Sequence, residues 1–150
     1  MEKVIYKVLK EIHFAEKYAE ICNSFPNFNN GINFRKSVII PMLEEHNLNM
    51  TYASREKLFY TDIDHENISI RFSFSTKHGF VEAFYVFRSS NGSRVLGRFN
   101  SIAKIEKEDF DNNVKHPFPI ATSVEDLKSI LDTVFKLHQD YISNFLAHKF

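Results

Sequence analysis

One run of strict alternation, Ile68-Ser-Ile-Arg-Phe-Ser-Phe-Ser75, constrains this chain more than any other segment. Ile68, Ile70, Phe72 and Phe74 fall on one side, and Ser69, Arg71, Ser73 and Ser75 on the other. Period-two patterning of this kind marks a strand with one face on a core and one in water. After Thr76-Lys-His-Gly79 comes a second run, Phe80-Val-Glu-Ala-Phe-Tyr-Val-Phe87. The two read as an antiparallel hairpin. Pairing Ser75 with Phe80 sets Ile68 opposite Phe87, Ile70 opposite Tyr85, Phe72 opposite Ala83 and Phe74 opposite Val81, all on one face. A slip of one residue would set apolar against polar positions. The other face is mixed, because Phe84 and Val86 stand among Ser69, Arg71, Ser73 and Glu82. A helix or a partner must cover them.

The rest of the chain fits one α+β domain over residues 1–150. Apolar residues recur at helical spacing from Val4 to Cys22, which predicts one helix there. Asn23–Gly31 reads as a loop, and a second helix is expected between Phe34 and Leu48. Pro41 limits that helix: either Ser37 caps it with Pro41 in its first turn, or it starts near Pro41. Met50–Thr61 reads as a strand with Tyr52, Leu58 and Tyr60 on one side, and Asp62–Asn67 as a turn. Asn91-Gly92 marks a further hairpin turn. Arg94–Ile105 then reads as a fourth strand, bulged at Gly97. Glu106–Pro119 is polar and irregular. Ser123 is an N-cap candidate, with Asp126 at the capping-box position. The stripe Leu127, Ile130, Leu131, Val134, Phe135, His138, Tyr141, Ile142, Phe145 predicts a long terminal helix. The expected architecture is a four-stranded antiparallel meander with two N-terminal helices and one long C-terminal helix.

Sixteen Phe and six Tyr supply a large aromatic core. The single Cys22 excludes an intramolecular disulfide and fits a reducing compartment. Met1–Lys10 lacks the apolar run of a signal peptide, and no stretch is long and apolar enough to span a membrane. The expectation is a cytoplasmic protein with no membrane association.

The net charge is zero, yet it is unevenly spread. Residues 68–104 carry Arg71, Lys77, Arg88, Arg94, Arg98 and Lys104 against Glu82 alone. Residues 105–126 carry Glu106, Glu108, Asp109, Asp111, Glu125 and Asp126 against Lys107 and Lys115. Such asymmetry concerns partners rather than fold.

The chemical motifs fail on inspection. Asp62, Asp64 and Glu66 beside His65 resemble a metal loop, but Asn67 and Ser73 stand where an EF-hand needs Gly and Glu. A solvated hairpin turn is the better reading. No two of the seven histidines have zinc-site spacing. His138 lies on an apolar stripe and reads as a buried, hydrogen-bonded core residue. Cys22 reads as a small core residue rather than a nucleophile. Gly92 and Gly97 have P-loop spacing, but Arg98 and Phe99 replace the required Lys and Ser/Thr. No cofactor, metal site or catalytic residue is expected.

Two segments carry a resemblance. One is Gly79–Gly92. The other joins Pro117-Phe-Pro119 to Ser123–Leu131 and Phe135–Tyr141. A hairpin, a Pro-aromatic-Pro loop and a long terminal helix in this order resemble small bacterial immunity proteins encoded beside polymorphic toxins. The resemblance implies a cytoplasmic binding module that neutralises a toxin by direct contact, and it transfers no functional residue. Partner-binding candidates on the basic sheet are Arg71, Phe84, Arg88 and Arg98. Against a basic nuclease toxin they are Asp62, Asp64 and Glu66, or Glu106, Glu108, Asp109 and Asp111. Alternatives are a nucleic-acid-binding protein using the basic sheet, a secretion chaperone, and a small enzyme without a recognisable motif.

Overall fold

The computed structural model describes residues 2–148, without the side chain of Leu96. It is an α+β fold built on an antiparallel meander. The strands β1 (Thr51–Ala53), β2 (Leu58–His65), β3 (Ile68–Ser75), β4 (Glu82–Ser89) and β5 (Arg94–Arg98) pair strictly in sequence order. The described helices are α1 (Glu2–Glu11), α2 (Phe14–Ser24), α3 (Lys36–Glu45), α4 (Phe99–Glu106) and α5 (Val124–Leu146).

The β3–β4 hairpin keeps the expected faces but sits two residues away from the expected register. Ile70 faces Phe87, Phe72 faces Tyr85, Phe74 faces Ala83, and Ser75 faces Glu82. A shift of two preserves the side of every residue, whereas a shift of one would invert it. The cause is the connection. Lys77–Gly79 forms a 3-10 turn, and the Val81 N–H bonds to the Pro119 carbonyl at 3.0 Å instead of joining the β3 ladder. Three loops are knitted here: Ala121 N–H donates to Gly79 O at 2.8 Å, and Ile120 N–H to Phe25 O at 2.9 Å. Gly31 is required at this crossing, since a Cβ there would lie 2.0 Å from the His78 carbonyl oxygen.

Five other segments depart from expectation. The first helix is broken at His13, which adopts a left-handed conformation (φ 55°). That backbone costs a non-glycine residue roughly 1–2 kcal/mol. Burial of Phe14, which meets Phe99 edge-on at 5.0 Å, offsets the cost. The Glu106 carboxylate also accepts from the Ala15 N–H at 3.0 Å, satisfying one free donor at the start of α2. Helix α3 follows neither alternative: it starts at Lys36 with Arg35 at the N-cap, so Ser37 lies inside it and Pro41 lies beyond its first turn. Ser37 and Pro41 are both exposed, so water can reach the carbonyl that loses its helical donor. Met50–Thr61 is a hairpin, not one strand. Tyr52 pairs with Phe59 and Ala53 with Leu58, so Tyr52 lies on the opposite face from Leu58 and Tyr60. Asp62–His65 continues β2, leaving Glu66 and Asn67 as the turn.

The strand expected over Arg94–Ile105 ends at Arg98 and becomes α4. Gly97 lies against Ile102, whose side chain would be 2.6 Å from a Cβ at that position. Phe99, Ile102 and Ala103 are then buried at helical spacing.

Helix α5 matches its stripe. Ser123 caps it by accepting from the Asp126 N–H at 3.1 Å, while the Asp126 carboxylate turns to Thr122. The core lies between α5 and one face of the sheet. His138 stacks on Phe72 at 3.8 Å, and Phe135 meets both Phe72 and Phe74. Tyr141 meets Tyr85, and Phe145 meets Phe87. Helices α1, α2 and α3 pack on α5, and α4 packs on α1, α2, β4 and β5. The described helices therefore form one layer on one side of the sheet.

Candidate functional site: the uncovered face of the sheet

Alternate residues of β2 to β5 point away from the helices, and the register arranges them in rows across the strands. The first row is Tyr60, Ser73, Phe84, Arg98. The second begins Asp62, Arg71, Val86. The third is Asp64, Ser69, Arg88, Arg94. Each row runs from β2 toward β5. The face is thus acidic at Asp62 and Asp64 and mainly basic at Arg88, Arg94 and Arg98, with Glu82, opposite Ser75, lining one hollow with Phe84 and Arg98. Across its middle, Ser73 and Val86 are buried by their neighbours at 1% and 6% exposure, and Phe84 is half-buried between Ser73 and Arg98. No described helix lies over them.

Arg71 is committed within the face. Its guanidinium makes a two-pronged contact with the Asp62 carboxylate, at 2.7 and 2.8 Å, and lies 4.2 Å from the centre of the Tyr60 ring. The hydrogen bond from Arg71 holds the Asp62 carboxyl below the usual range, and the charges of Arg71 and Arg88 act in the same direction. The same bond raises the Arg71 guanidinium in turn. Bidentate geometry and ring stacking fix the side chain in one pose. Arg88, Arg94 and Arg98 are exposed, and among the described residues no carboxylate pairs with them.

The other acidic candidates do not form one surface with this face. Glu66 is at the β2–β3 turn, in a left-handed conformation (φ 53°). Glu106 is occupied in capping α2. Asp111 pairs with Lys104 at 2.9 Å. Asp109 gives its backbone carbonyl to Asn112 and Asn113, and its side chain and that of Glu108 are exposed. Two of the four carboxylates of the acidic run are thus engaged, Glu106 on α2 and Asp111 on Lys104 of α4.

Arg94 and Tyr60 belong to the face but are not among the partner-binding candidates named from the sequence. The signal for Arg94 was the Asn91-Gly92 turn. Gly92 takes φ 90°, the Asn91 side chain accepts from the Ser93 N–H at 2.9 Å, and Arg94 then falls opposite Arg88. Tyr60 was hidden by the turn between β1 and β2.

Groups with strongly displaced proton affinities lie inside the core. The His138 Nδ1 is 2.7 Å from the Tyr85 hydroxyl, and burial lowers the His138 pKa to about 3. Burial pushes the Cys22 thiol up to about 12. Burial raises the Tyr18, Tyr85 and Tyr141 hydroxyls well above the ordinary tyrosine value. The Tyr18 and Tyr141 hydroxyls donate to the Pro117 and Ile5 carbonyls. These are the marks of satisfied buried polar groups. Among the described residues no three His, Cys, Asp or Glu side chains cluster as a metal site, and no helix is long and apolar enough to cross a membrane.

Comparison with known proteins finds no match: no family model, no curated protein and no solved structure matches this chain.

Proposed function

We propose that this chain is a cytoplasmic binding module, an immunity protein that neutralises a toxin by direct contact through the uncovered sheet face. One observation carries the reading. Phe84 stands half-buried beside Arg98, on a face that also presents Arg88 and Arg94 free of carboxylate partners, while the described helices pack on the other side. A half-buried aromatic residue directly opposite an arginine, here Phe84 opposite Arg98 with Glu82 alongside, is of the composition from which binding hot spots are built. The location of the displaced proton affinities supports binding over catalysis, since His138, Cys22 and the three tyrosines are sealed in the core.

Of the two surfaces open at the sequence level, the basic one is favoured. Asp62 is neutralised by Arg71, Glu106 is occupied as a cap, and Asp111 is paired. The partner would set an acidic rim over β4 and β5, and complementarity of that kind accelerates encounter as well as tightening it. The test is co-expression with the product of the adjacent gene. Growth should be restored by this chain, and a complex should purify from the rescued cells. A harmless neighbour, or a toxic one that this chain does not neutralise, rejects the reading. The three free arginines also favour nucleic acid as a second reading. Three phosphate contacts would give a log–log salt slope of about −2.7 on duplex DNA. No binding at low salt removes it.

A further inference from the structure

A cavity opens between the start of α3, the β1–β2 turn and the β3–β4 loop, away from the free arginines of the open face. Lys36, Lys57, Lys77 and His78 line it, and no carboxylate does. Among the described residues none of the three lysines is in an ion pair. The four residues arrive from three separate parts of the chain, and two are placed by unusual backbone. Lys57 (φ 56°) and His78 (φ 54°) both adopt the left-handed conformation. The His78 N–H is held by the Asn33 side chain at 2.9 Å. The Lys36 ammonium lies 5.3 Å from the centre of the Tyr52 ring, which also lines the cavity. Helix α3 begins at Lys36 with no side-chain cap, so its first N–H groups add positive potential at the same place. Ser75 and Thr76 complete the wall.

Several cations around one cavity repel one another, and a multiply charged anion relieves that repulsion. A phosphate monoester carries roughly −1.5 to −2 charge at neutral pH and presents three strong acceptor oxygens. A carboxylate carries one charge and two oxygens. We propose that this cavity binds the phosphate group of a small phosphate monoester, with the ammonium groups of Lys36, Lys57 and Lys77 as its counter-charges and Tyr52 and Phe34 as the wall for the organic part. The site would serve a small-molecule ligand independently of partner binding on the open sheet face.

The test uses the full chain and titration calorimetry with AMP, inorganic phosphate and adenosine. AMP should bind, inorganic phosphate should compete with it, and adenosine should bind at least about tenfold more weakly, a difference of about 1.4 kcal/mol. Affinity should fall as salt rises from low to moderate concentration. The exposed lysines allow Lys36→Gln and Lys77→Gln to fold normally, which an unchanged melting temperature in the absence of ligand would confirm. Each should weaken AMP by about fivefold or more, whereas Lys136→Gln on α5 should not. No AMP binding, adenosine binding equal to AMP, or equal loss in Lys136→Gln overturns the proposal.

Discussion

The two faces of the β3–β4 hairpin come from the same two strands and obey different physics. On the helix side, Phe72, Phe74, Tyr85 and Phe87 are almost fully removed from water, and every one meets a ring from α5. On the other side, Ser73 and Val86 are also buried, at 1% and 6% exposure, with Tyr60, Phe84 and Arg71 as neighbours on the sheet. Burial alone therefore does not distinguish scaffold from surface in this protein. The distinction lies in what does the covering. A helix layer fixed by stacked rings is part of the fold, whereas a cover of Phe84, Arg71 and arginine side chains can be rearranged by a partner.

Truncation should separate the faces most sharply. Phe72→Ala removes a ring packed against His138, Phe135 and Tyr85. It should cost about 3–5 kcal/mol, read as a lower midpoint in urea unfolding. Phe84→Ser, on the half-buried position opposite Ser73, should cost about 1 kcal/mol. Equal losses would mean that the open face is as much a core as the other.

The second contrast is with pH. His138 is neutral in the fold, with its pKa lowered from 6.5 to about 3. Between those values the unfolded chain binds a proton that the folded chain does not. Stability should therefore be full above pH 6.5 and fall as pH drops toward 3, by up to about 1.4 kcal/mol per pH unit. Asp62 and Asp132 also have lowered values, so their contribution is lost only as pH falls below the usual carboxylate range. Urea midpoints at pH 7, 6 and 5 read this slope, and His138→Gln should reduce it. A flat profile in the unaltered protein would contradict a sealed core at this point.

The smallest stability effect belongs to the Asp62–Arg71 pair. Both side chains are more than 40% exposed, and an exposed pair contributes about 0.2–1 kcal/mol. Asp62→Asn should barely move the urea midpoint, yet it frees Arg71 and makes the face more basic. Its effect should appear instead in the association rate with an acidic partner, which should rise. A large loss of stability would place the pair in the scaffold.

Much of this division was legible in the sequence, and what escaped has physical reasons. Alternation in Ile68–Ser75 assigned the faces because side chains in a strand can take only two sides. The Ser123 cap, the α5 stripe, and the burial of His138 and Cys22 followed from helical spacing. The break at His13 did not, because a histidine there takes a backbone more typical of glycine, held by Phe99 against Phe14 and by Glu106 on the Ala15 N–H, both from outside the segment. The β1–β2 turn escaped for a related reason, with Lys57 in the left-handed conformation and no glycine to mark it. The two-residue register offset came from Pro119, remote in sequence. Helix α4 was hidden in an apolar run that suits strand or helix equally until Gly97 meets Ile102. That Phe84 stays uncovered was beyond any local pattern, since it depends on where the helices go.

The face left open by the helices is the one proposed to bind. Its role is tested most directly by growth rescue against the toxic product of the adjacent gene, with charge changes placed on opposite sides of the molecule. Phe84→Ser and Arg98→Glu, on the open face, should abolish rescue while the isolated proteins keep cooperative unfolding. Ser129→Glu and Lys136→Glu, on the exposed side of α5, should rescue as well as the unaltered chain. Loss of rescue from the α5 changes, with full rescue by the open-face variants, would contradict the account.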